Sequence, residues 1–487
     1  MRTLLSLILL ALLIPLSAFA ADSQHPNIVF ILADDLGYAD LACFGSKYYE
    51  TPNIDRLATE GMRFTNGYSC GPNCQPSRAA LMSGQYGPRT GIYTVGDIDR
   101  FDWRSRPLRP VDNVTSLPLD KITIADTLKK AGYATGMFGK WHLGMDADHF
   151  PAKRGFDEAI ESSGVHFDFK TTPKTDYPKG QYLADFLTDH AVDFIERHKD
   201  QPFFLYLPHF GVHAPHQAKP ELISKFKGKP PVGGQKSAAY AAMIASVDES
   251  VGRVVATLDK LGLTDNTLVI FSSDNGGVGG YERAGLSRNG VTDNAPLKGG
   301  KGMLYEGGIR VPYIFRWKGK IQPATENDTP IMGIDLYPTL VEVAGTKAPT
   351  DYPLDGQSLM PLLTGAQKAL GRSGLAWHFP GYLGFGPGEW RTTPAGAVRF
   401  GDWKLIEFFE DGRQELYNLK DDVGEQHNLA AAEPDKAEEL HDKMLAWREQ
   451  LGAKMPTKND EQGTTKKLTK KERQARKQAR QDAGDDE

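Results

Sequence analysis

Four runs of apolar residues constrain the fold of this chain more than any other feature. They occupy residues 27–32, 203–207, 267–271 and 313–315, and each is rich in aliphatic, β-branched or aromatic side chains. None of them alternates polar with apolar residues, as a strand with one face in water would. Uninterrupted runs of this length are typical of strands buried on both faces, which occur in parallel sheets covered by helices.

Amphipathic helices are predicted between these strands. The segments 123–131 and 238–261 carry apolar residues at spacings of three and four, the periodicity of a helix that buries one face. Strands that alternate with helices indicate an α/β fold, in which a large sheet is sandwiched by helices.

The character of the chain changes near residue 370. Short strands at 397–400, 404–408 and 415–419, joined by Gly-Asp or Asp-Gly turns, predict an antiparallel meander, and a helix over 434–451 completes a small C-terminal α+β domain. The predicted division is a leader at 1–20, a large domain at 21–370, the small domain at 371–455 and a polar, disordered tail at 456–487.

The first twenty residues have the pattern of a secretory signal. Arg2 precedes an apolar run at 4–16, and residues 18–20 supply an A-x-A cleavage site. The run is too short and too early for a comfortable membrane span. We expect a secreted or periplasmic protein with no stable membrane insertion; an uncleaved or lipid-linked anchor is the alternative, although no Cys follows the cleavage site.

Charge and composition exclude nucleic acid as an expected partner. The chain of 487 residues has 57 Lys and Arg against 62 Asp and Glu, with an isoelectric point near 6.2, so it has no overall attraction to polyanions. The basic residues of the tail can contact an acidic polymer, but so polar a segment is expected to remain disordered.

The three cysteines are an odd number for an exported chain, because oxidising compartments pair thiols. One cysteine is therefore free or chemically special. The simplest interpretation is a disulfide between Cys43 and Cys70, with Cys74 inert and buried.

Two of the apolar runs end in oxygen ligands. Asp34 and Asp35 follow the first run, and Asp274 and Asn275 follow the run at 267–271. Because ligands of open α/β sheets bind beyond the carboxyl ends of strands, the two pairs are expected to meet. Three carboxylates and an amide without thiolate or imidazole predict a site for Ca²⁺, with Mg²⁺ as the next candidate.

Residues 74–78 read C-x-P-S-R and continue as A-A-L-M-S-G. The chain here resembles the formylglycine-dependent sulfatases, the arylsulfatase-like branch of the alkaline phosphatase superfamily, and the resemblance spans about 27–429. It implies an alkaline phosphatase-like fold with a large mixed, mostly parallel sheet. It also implies that a formylglycine-generating maturation enzyme oxidises Cys74 to formylglycine, which leaves Cys43 and Cys70 for an optional disulfide.

Formylglycine would solve a chemical difficulty of sulfate ester hydrolysis. A sulfate monoester is an anion that repels nucleophiles, and an ordinary serine would be trapped as a stable sulfated ester. In a hydrated aldehyde, one oxygen attacks sulfur, and deprotonation of the other then expels sulfate and restores the carbonyl. The resemblance therefore implies covalent catalysis with a built-in release step.

Three further segments resemble motifs of the same family. Residues 139–144 read G-K-W-H-L-G, residues 213–215 read H-A-P, and residues 297–302 read L-K-G-G-K-G. In the family, the corresponding Lys and His side chains contact the sulfate, the formylglycine hydroxyls or the ester oxygen. The candidate catalytic residues are Cys74, Arg78, Lys140, His142, His213 and Lys301.

The charges of these residues suit sulfuryl transfer, which spreads negative charge over the sulfuryl oxygens and the departing alkoxide. Arg78 is suited to hold the formylglycine hydroxyls, and Lys140 and Lys301 the sulfuryl oxygens. Either His213 or Lys301 can protonate the leaving group, and His142 can take the hydroxyl proton.

The substrate is expected, by family-level inference, to be a sulfated carbohydrate. His216, beside the H-A-P motif, and His378, in the small domain, are the candidate substrate-binding residues. One position departs from the family: Gln85 follows Ser-Gly where Arg or Lys is usual. That departure puts complete maturation of Cys74 in question.

Two other functions fit parts of the pattern. A phosphate ester hydrolase of the same superfamily also binds metals at strand ends, but such enzymes typically use Ser or Thr and two zinc ions. A non-catalytic carbohydrate-binding homologue would keep the scaffold and leave Cys74 unmodified. The thiol precursor and the oxygen-only ligands favour the calcium-dependent sulfatase.

Overall fold

The computed structural model describes residues 25–386, 388–464 and 474. The predicted leader at 1–20 lies outside the described residues, as does the tail beyond 464 apart from residue 474. Among the helices of the described residues, none combines the length and the apolar character that crossing a membrane requires.

The secondary structure of the described residues follows the α/β pattern. The strands are β1 (Asn27–Ala33), β2 (Met62–Phe64), β3 (Gly67–Tyr68), β4 (Leu108–Arg109), β5 (Ala134–Gly139), β6 (Glu158–Glu161), β7 (Phe203–Pro208), β8 (Thr267–Ser273), β9 (Tyr313–Arg316), β10 (Thr325–Asn327), β11 (Ile331–Met332), β12 (Gly374–Phe379), β13 (Leu383–Gly386), β14 (Glu389–Thr392), β15 (Ala395–Phe400), β16 (Trp403–Phe408), β17 (Gln414–Asn418) and β18 (Thr457–Lys458). The α-helices are α1 (Pro52–Thr59), α2 (Cys74–Ser83), α3 (Gly87–Thr90), α4 (Ile124–Lys130), α5 (Leu183–His198), α6 (Pro220–Phe226), α7 (Ala238–Lys260), α8 (Glu306–Ile309), α9 (Leu336–Val343), α10 (Met360–Leu363) and α11 (Pro434–Leu451).

The largest sheet has eight strands in the order β10-β2-β9-β8-β1-β7-β5-β6. Strands β8, β1, β7, β5 and β6 run parallel to one another, whereas β9 is antiparallel to both of its neighbours. The four apolar runs of the sequence are β1, β7, β8 and β9. The predicted large mixed, mostly parallel sheet is therefore confirmed.

The alternation of side chains along β1 separates two helical layers. Val29 and Ile31 pack into a cluster with α5 and α7, whereas Ile28 and Phe30 pack on the opposite face with α2, α4 and α9. Every residue of β1 is buried, which explains why its sequence shows no polar alternation. The prediction of helices on both faces is confirmed.

A smaller antiparallel sheet follows in the order β12-β15-β16-β17. Helix α11 covers it by packing Leu440 and Met444 against Val398 and Leu405. This is the predicted antiparallel sheet plus helix, and the expected boundary at 370 lies in the segment that joins α10 to β12.

A buried ion-paired cluster links the small sheet to helix α8, which precedes β9 of the large sheet. The Nζ of Lys404, on β16, lies 2.9 Å from Glu306 and 2.8 Å from Glu425. Burial acts to raise the pKa of both carboxyls. At Glu306 the charges of Lys404, Arg310 and Arg399 together outweigh burial and lower the pKa to about 2, whereas at Glu425 burial prevails and raises the pKa to about 7.

The predicted start of the disordered tail at 456 is wrong. Residues Thr457–Lys458 form β18 and pair with β4, and Asn459 is buried with its side chain donating to the Arg106 carbonyl at 2.7 Å. Ordering this segment costs conformational entropy, and its polar residues bury little apolar surface to offset that cost. The hydrogen bonds to β4 and to Arg106 offset it instead.

The proposed disulfide between Cys43 and Cys70 is not formed, because the two thiols pack in different places. Cys43 lies beside Asp55, which accepts its backbone N–H at 2.9 Å. Cys70 belongs to another apolar cluster, where its Sγ lies against Gly333. Both are free, as is Cys74.

Candidate active site

The register of β1 with β8 brings the two acidic loops together. Ala33 pairs with Ser273, so that Asp34 and Asp274 leave the sheet side by side. The N–H of Asp35 donates to the Asp274 carboxylate at 3.2 Å across 239 positions of sequence. The acidic groups therefore meet at the carboxyl edge of the sheet, where α/β folds place their ligands.

Cys74 is the first residue of α2 and faces the acidic pair. Its Sγ lies 3.4 Å from Asp34 Oδ1 and 3.6 Å from Asp35 Oδ1, and the residue is fully buried. Ligand atoms of these three residues and Asp274 all lie within 4.8 Å of one another. Because Cys74 begins the helix, the positive end of the helix dipole points into the same site.

Three buried basic side chains reach the carboxylates from different elements. Lys140 directly follows β5, Arg78 lies on α2, and Lys301 lies in the glycine-rich loop 297–302. The pairs are Lys140 Nζ with Asp34 at 2.6 Å, Lys301 Nζ with Asp35 at 2.6 Å, and Arg78 Nη2 with Asp274 at 2.7 Å. Since every pair is excluded from water, these charges are hardly screened by solvent.

Two glycines allow the lysine-bearing backbone to enter the site. Gly139 has a φ of +135°, and a Cβ there would lie 1.9 Å from the Pro208 carbonyl oxygen, so only glycine lets β5 end where Lys140 begins. A Cβ at Gly300 would lie 2.2 Å from a backbone oxygen of the neighbouring loop. The close approach of that loop places Lys301.

The carboxylates differ in pKa because their neighbours differ. Burial acts to raise the pKa of Asp34, but the charges of Lys140 and Arg78 outweigh it and hold that pKa well below its usual value. At Asp274, burial outweighs Arg78 and raises the pKa to about 7. Burial also raises the pKa of the Cys74 thiol well above its usual value. The thiol is therefore protonated, and a protonated thiol is a weak nucleophile.

Two histidines face the cluster as neutral rings. The Nδ1 of His213 lies 2.7 Å from the Ala214 carbonyl, which can only accept, so Nδ1 carries the hydrogen and Nε2 is bare, 3.7 Å from Asp35. Burial, followed by the charge of Lys301, lowers the pKa of His213 to about 3. Burial also lowers the pKa of His142, whose buried Nδ1 has no hydrogen-bond partner.

The donor set fits a hard divalent cation. Asn275 donates from Nδ2 to Asp35 at 2.8 Å, while its Oδ1 is buried without a hydrogen-bond partner. An unpaired buried amide oxygen beside three carboxylates is costly, and an oxygen-seeking ion such as Ca²⁺ or Mg²⁺ would satisfy it. The structure thus offers the four predicted oxygen ligands at one place.

Comparison with known proteins identifies the family. The family model described as Sulfatase matches residues 26–346, which is more than half of the chain. The chain belongs to the sulfatase family. A second model, described as N-sulphoglucosamine sulphohydrolase, C-terminal, matches residues 300–451 and so includes the small sheet of the sulfatase.

Individual relatives cover most of the sulfatase. It is 35% identical to a sulfatase of Formosa agariphila over 87% of this chain and 89% of the relative, and 30% identical to the N-acetylgalactosamine-6-O-sulfatase of Bacteroides thetaiotaomicron over 86% and 92%. The solved structure of Ps i-CgsB in complex with k-i-k-neocarrahexaose is 31% identical, with a TM-score of 0.73 over 87% of this chain and 93% of that one. The chain is therefore a sulfuric ester hydrolase with the alkaline phosphatase-like fold.

The two predicted substrate-binding histidines differ in position. His216 is half-buried near the site, with its ring edge-on to Tyr240 at 5.8 Å, and burial lowers its pKa to about 4 against the opposing charge of Asp35. His378 instead packs between the small sheet and the chain after α11, where its Nε2 bonds the Lys454 carbonyl at 2.8 Å. The structure does not bring His378 to the site, because this bond and its burial fix it elsewhere in the sulfatase.

Two residues that hold the site were not predicted from the sequence. His166 bonds the carbonyl of His213 at 2.8 Å, and Asn294 donates to the carbonyls of Gly277, Gly279 and Gly299 at 3.0 Å each. No motif surrounds His166, so the sequence carries no signal for it. Asn294 lies three residues before the L-K-G-G-K-G segment, and that proximity was the available signal.

Gln85, the position that departs from the family, is buried behind the site. Its Nε2 donates to the Pro353 carbonyl at 2.8 Å, whereas its Oε1 has no hydrogen-bond partner. The side chain supports the end of α2 through one bond and leaves one buried acceptor unsatisfied.

Proposed function

We propose that this sulfatase is an exported, Ca²⁺-dependent enzyme that removes sulfate esters from sulfated carbohydrates, with formylglycine formed from Cys74 as its nucleophile. The observation that carries the proposal is the position of Cys74, within 3.6 Å of both Asp34 and Asp35 at the centre of the basic side chains. Residues 21–370 form its catalytic domain and 371–455 its C-terminal domain.

Two groups absent from the unmodified chain would complete the site. Formylglycine at residue 74 supplies an oxygen nucleophile and a route for releasing sulfate, for which the buried, protonated thiol is no substitute. A bound divalent cation, held by Asp34, Asp35, Asp274 and Asn275, supplies positive charge to the sulfate. The unpaired Oδ1 of Asn275 supports this assignment.

The basic residues bind and polarise the sulfate. Lys140 and Lys301 each pair with a carboxylate, and if those carboxylates held a divalent cation, both ammonium groups would be free to face the sulfuryl oxygens. Arg78 also donates to the Lys140 carbonyl at 2.8 Å, which fixes its guanidinium beside residue 74. Fixed donors aimed at developing charge are the largest single source of rate in such reactions.

The two histidines move protons. The bare Nε2 of His213 points into the cluster, and we assign it to the oxygen of the departing alcohol, which takes up a proton as the S–O bond breaks. The free Nδ1 of His142 is assigned to the proton of the residue-74 hydroxyl. Their lowered pKa values keep both rings neutral, so His142 can accept a proton; His213 becomes a donor only after taking one up near bound sulfate.

The substrate class rests on the relatives. One is named an N-acetylgalactosamine-6-O-sulfatase, and a solved neighbour holds k-i-k-neocarrahexaose, a sugar. We therefore propose a sulfated carbohydrate, with His216 as the residue that contacts the sugar beside the sulfate.

Export and maturation complete the proposal. The apolar leader supports a secreted or periplasmic location, and the C-x-P-S-R segment supports conversion of Cys74 by a formylglycine-generating enzyme. The same arrangement argues against a two-zinc phosphate ester hydrolase, because the described residues offer one cluster of ligands and it is rich in oxygen.

The experiment is a desulfation screen on the protein produced together with a formylglycine-generating enzyme. Defined sulfated mono- and oligosaccharides are incubated with it, and free sulfate is measured by ion chromatography. We expect sulfate release from at least one sugar, together with a residue-74 peptide whose mass is that of formylglycine. A fully modified protein that releases phosphate but not sulfate, and binds two zinc ions, would contradict the proposal.

A further inference from the structure

The orientation of His213 depends on its backbone. Its Nδ1 bonds the carbonyl of the next residue, Ala214, so the ring turns with the main chain at 213–214. The backbone N–H of His213 donates to the Phe210 carbonyl at 3.0 Å, whereas the ring Nε2 has no hydrogen-bond partner. Whatever fixes the His213 carbonyl therefore fixes the direction of Nε2.

His166 supplies that fixed point. It lies between β6 and α5, 47 positions before His213, and its Nε2 is 2.8 Å from the His213 carbonyl oxygen. Since a carbonyl only accepts, His166 donates from Nε2. Burial lowers its pKa to about 4, so the donor is the neutral imidazole.

The ring of His166 is held on every side. It is 1% exposed and stacks on Phe210 at 4.9 Å and on Tyr182 at 5.7 Å. The backbone of His166 is also fixed: its carbonyl accepts a hydrogen bond from the Leu183 N–H at 2.9 Å, and its N–H donates to the side-chain oxygen of Gln217 at 3.1 Å. Because the His166 side chain is fixed in this way, its hydrogen bond holds the His213 carbonyl in one position.

We propose that His166 is a positioning residue for the reaction: its bond to the His213 carbonyl aims His213 Nε2 at the oxygen of the departing alcohol. The inference rests on the proposed role of His213. A misaimed proton donor slows the reaction most when the leaving group is a poor one, because a sugar alkoxide needs the proton and a nitrophenolate does not.

Two substitutions separate the bond from the packing. His166→Gln keeps an N–H donor at nearly the same reach but loses the stacked ring. His166→Phe keeps the ring and loses the donor. The matched control is His190→Phe, because His190 also packs against two aromatic rings, stacked on Phe138 and edge-on to Phe186, without bonding a site residue.

The test compares kcat and KM of the matured wild type and variants on nitrophenyl sulfate and on the best sulfated sugar of the desulfation screen. We expect His166→Phe to lower kcat on the sugar about tenfold or more, with KM nearly unchanged, and to spare nitrophenyl sulfate. His166→Gln should retain most of the kcat on both, as should His190→Phe. If His166→Phe does not fold, His166→Asn replaces it, since its shorter amide does not reach the carbonyl.

Equal losses on both substrates, or a Phe variant as active as the wild type, would overturn the positioning role and leave the sulfatase proposal intact. A wild type that releases sulfate from neither substrate would contradict the proposed function, and this inference with it.

Discussion

Lys140 and Lys301 are ammonium groups buried where solvent cannot screen them, and each contacts one carboxylate of the loop after β1. A buried ammonium group is costly unless it is paired, and here the partner of each is a carboxylate at 2.6 Å. For Lys301→Met we expect kcat/KM for sulfate release to fall about a hundredfold to a thousandfold, because one fixed cation on the sulfuryl group is lost.

The matched control for Lys301→Met is Lys318→Met, because the Lys318 side chain is 64% exposed and pairs with the exposed Asp265 at 2.9 Å, not with a carboxylate of the site. The control should have wild-type kinetics. Equal kinetics for the two variants would show that Lys301 does not bind the sulfate.

The Cys74→Ser variant tests the release step at residue 74. A serine oxygen can attack sulfur but has no second oxygen through which to expel sulfate, so we expect the variant to stop at a sulfated serine. Mass spectrometry of the residue-74 peptide after incubation with substrate should show the added mass of one sulfuryl group. Unmodified serine together with continued turnover would exclude this chemistry.

At the scale of elements, the Lys404 cluster that links the small sheet to α8 holds two carboxylates with opposite pKa shifts. The pKa of Glu425 is raised to about 7 by burial, so between its usual value of 4.5 and 7 the folded protein binds a proton that the unfolded chain does not. This contribution to the free energy of unfolding is present at low pH and is lost as pH rises through 7.

For Glu425→Gln we therefore expect a difference from the wild type that changes with pH. Urea denaturation should show the wild type losing stability between pH 5 and pH 8 relative to the variant. Glu438→Gln, an exposed position on α11, is the control and should follow the wild type. A constant difference across this range would contradict the raised pKa.

The element scale also shows what the sequence could predict. The strand ends that carry Asp34 and Asp274 were predictable because continuous apolar runs indicate buried parallel strands, and such strands share one carboxyl edge. The positions of His166 and His378 were not predictable, since both depend on bonds to the backbone of distant segments. The strand β18 was missed for the same reason: its partner β4 is remote, and its own residues are polar.

At the scale of the whole molecule, the proposed cation site would connect the loops after β1 and β8, so its occupancy should affect global stability. Carboxylate oxygens of Asp34, Asp35 and Asp274 lie within 4.8 Å of one another, and Ca²⁺ bound to the folded state alone would relieve their mutual repulsion. We expect Ca²⁺ to raise the melting temperature of the wild type in a concentration-dependent way, and EGTA to lower it and abolish sulfate release.

The control for the metal prediction is Asp274→Ala, which removes one ligand and should make the melting temperature independent of Ca²⁺. Asp265→Ala, at an exposed acid paired with Lys318, should respond as the wild type does. A melting temperature of the wild type that is the same in Ca²⁺ and in EGTA would exclude a structural cation at these loops.

The most direct measurement is the rate of sulfate release by the wild type and by Cys74→Ala, produced together with the same maturation enzyme and assayed on the same sulfated sugar. We predict steady release by the wild type and only background release by Cys74→Ala, with similar melting temperatures for both. Release by Cys74→Ala at the wild-type rate would contradict the account, because the reaction would then not use residue 74.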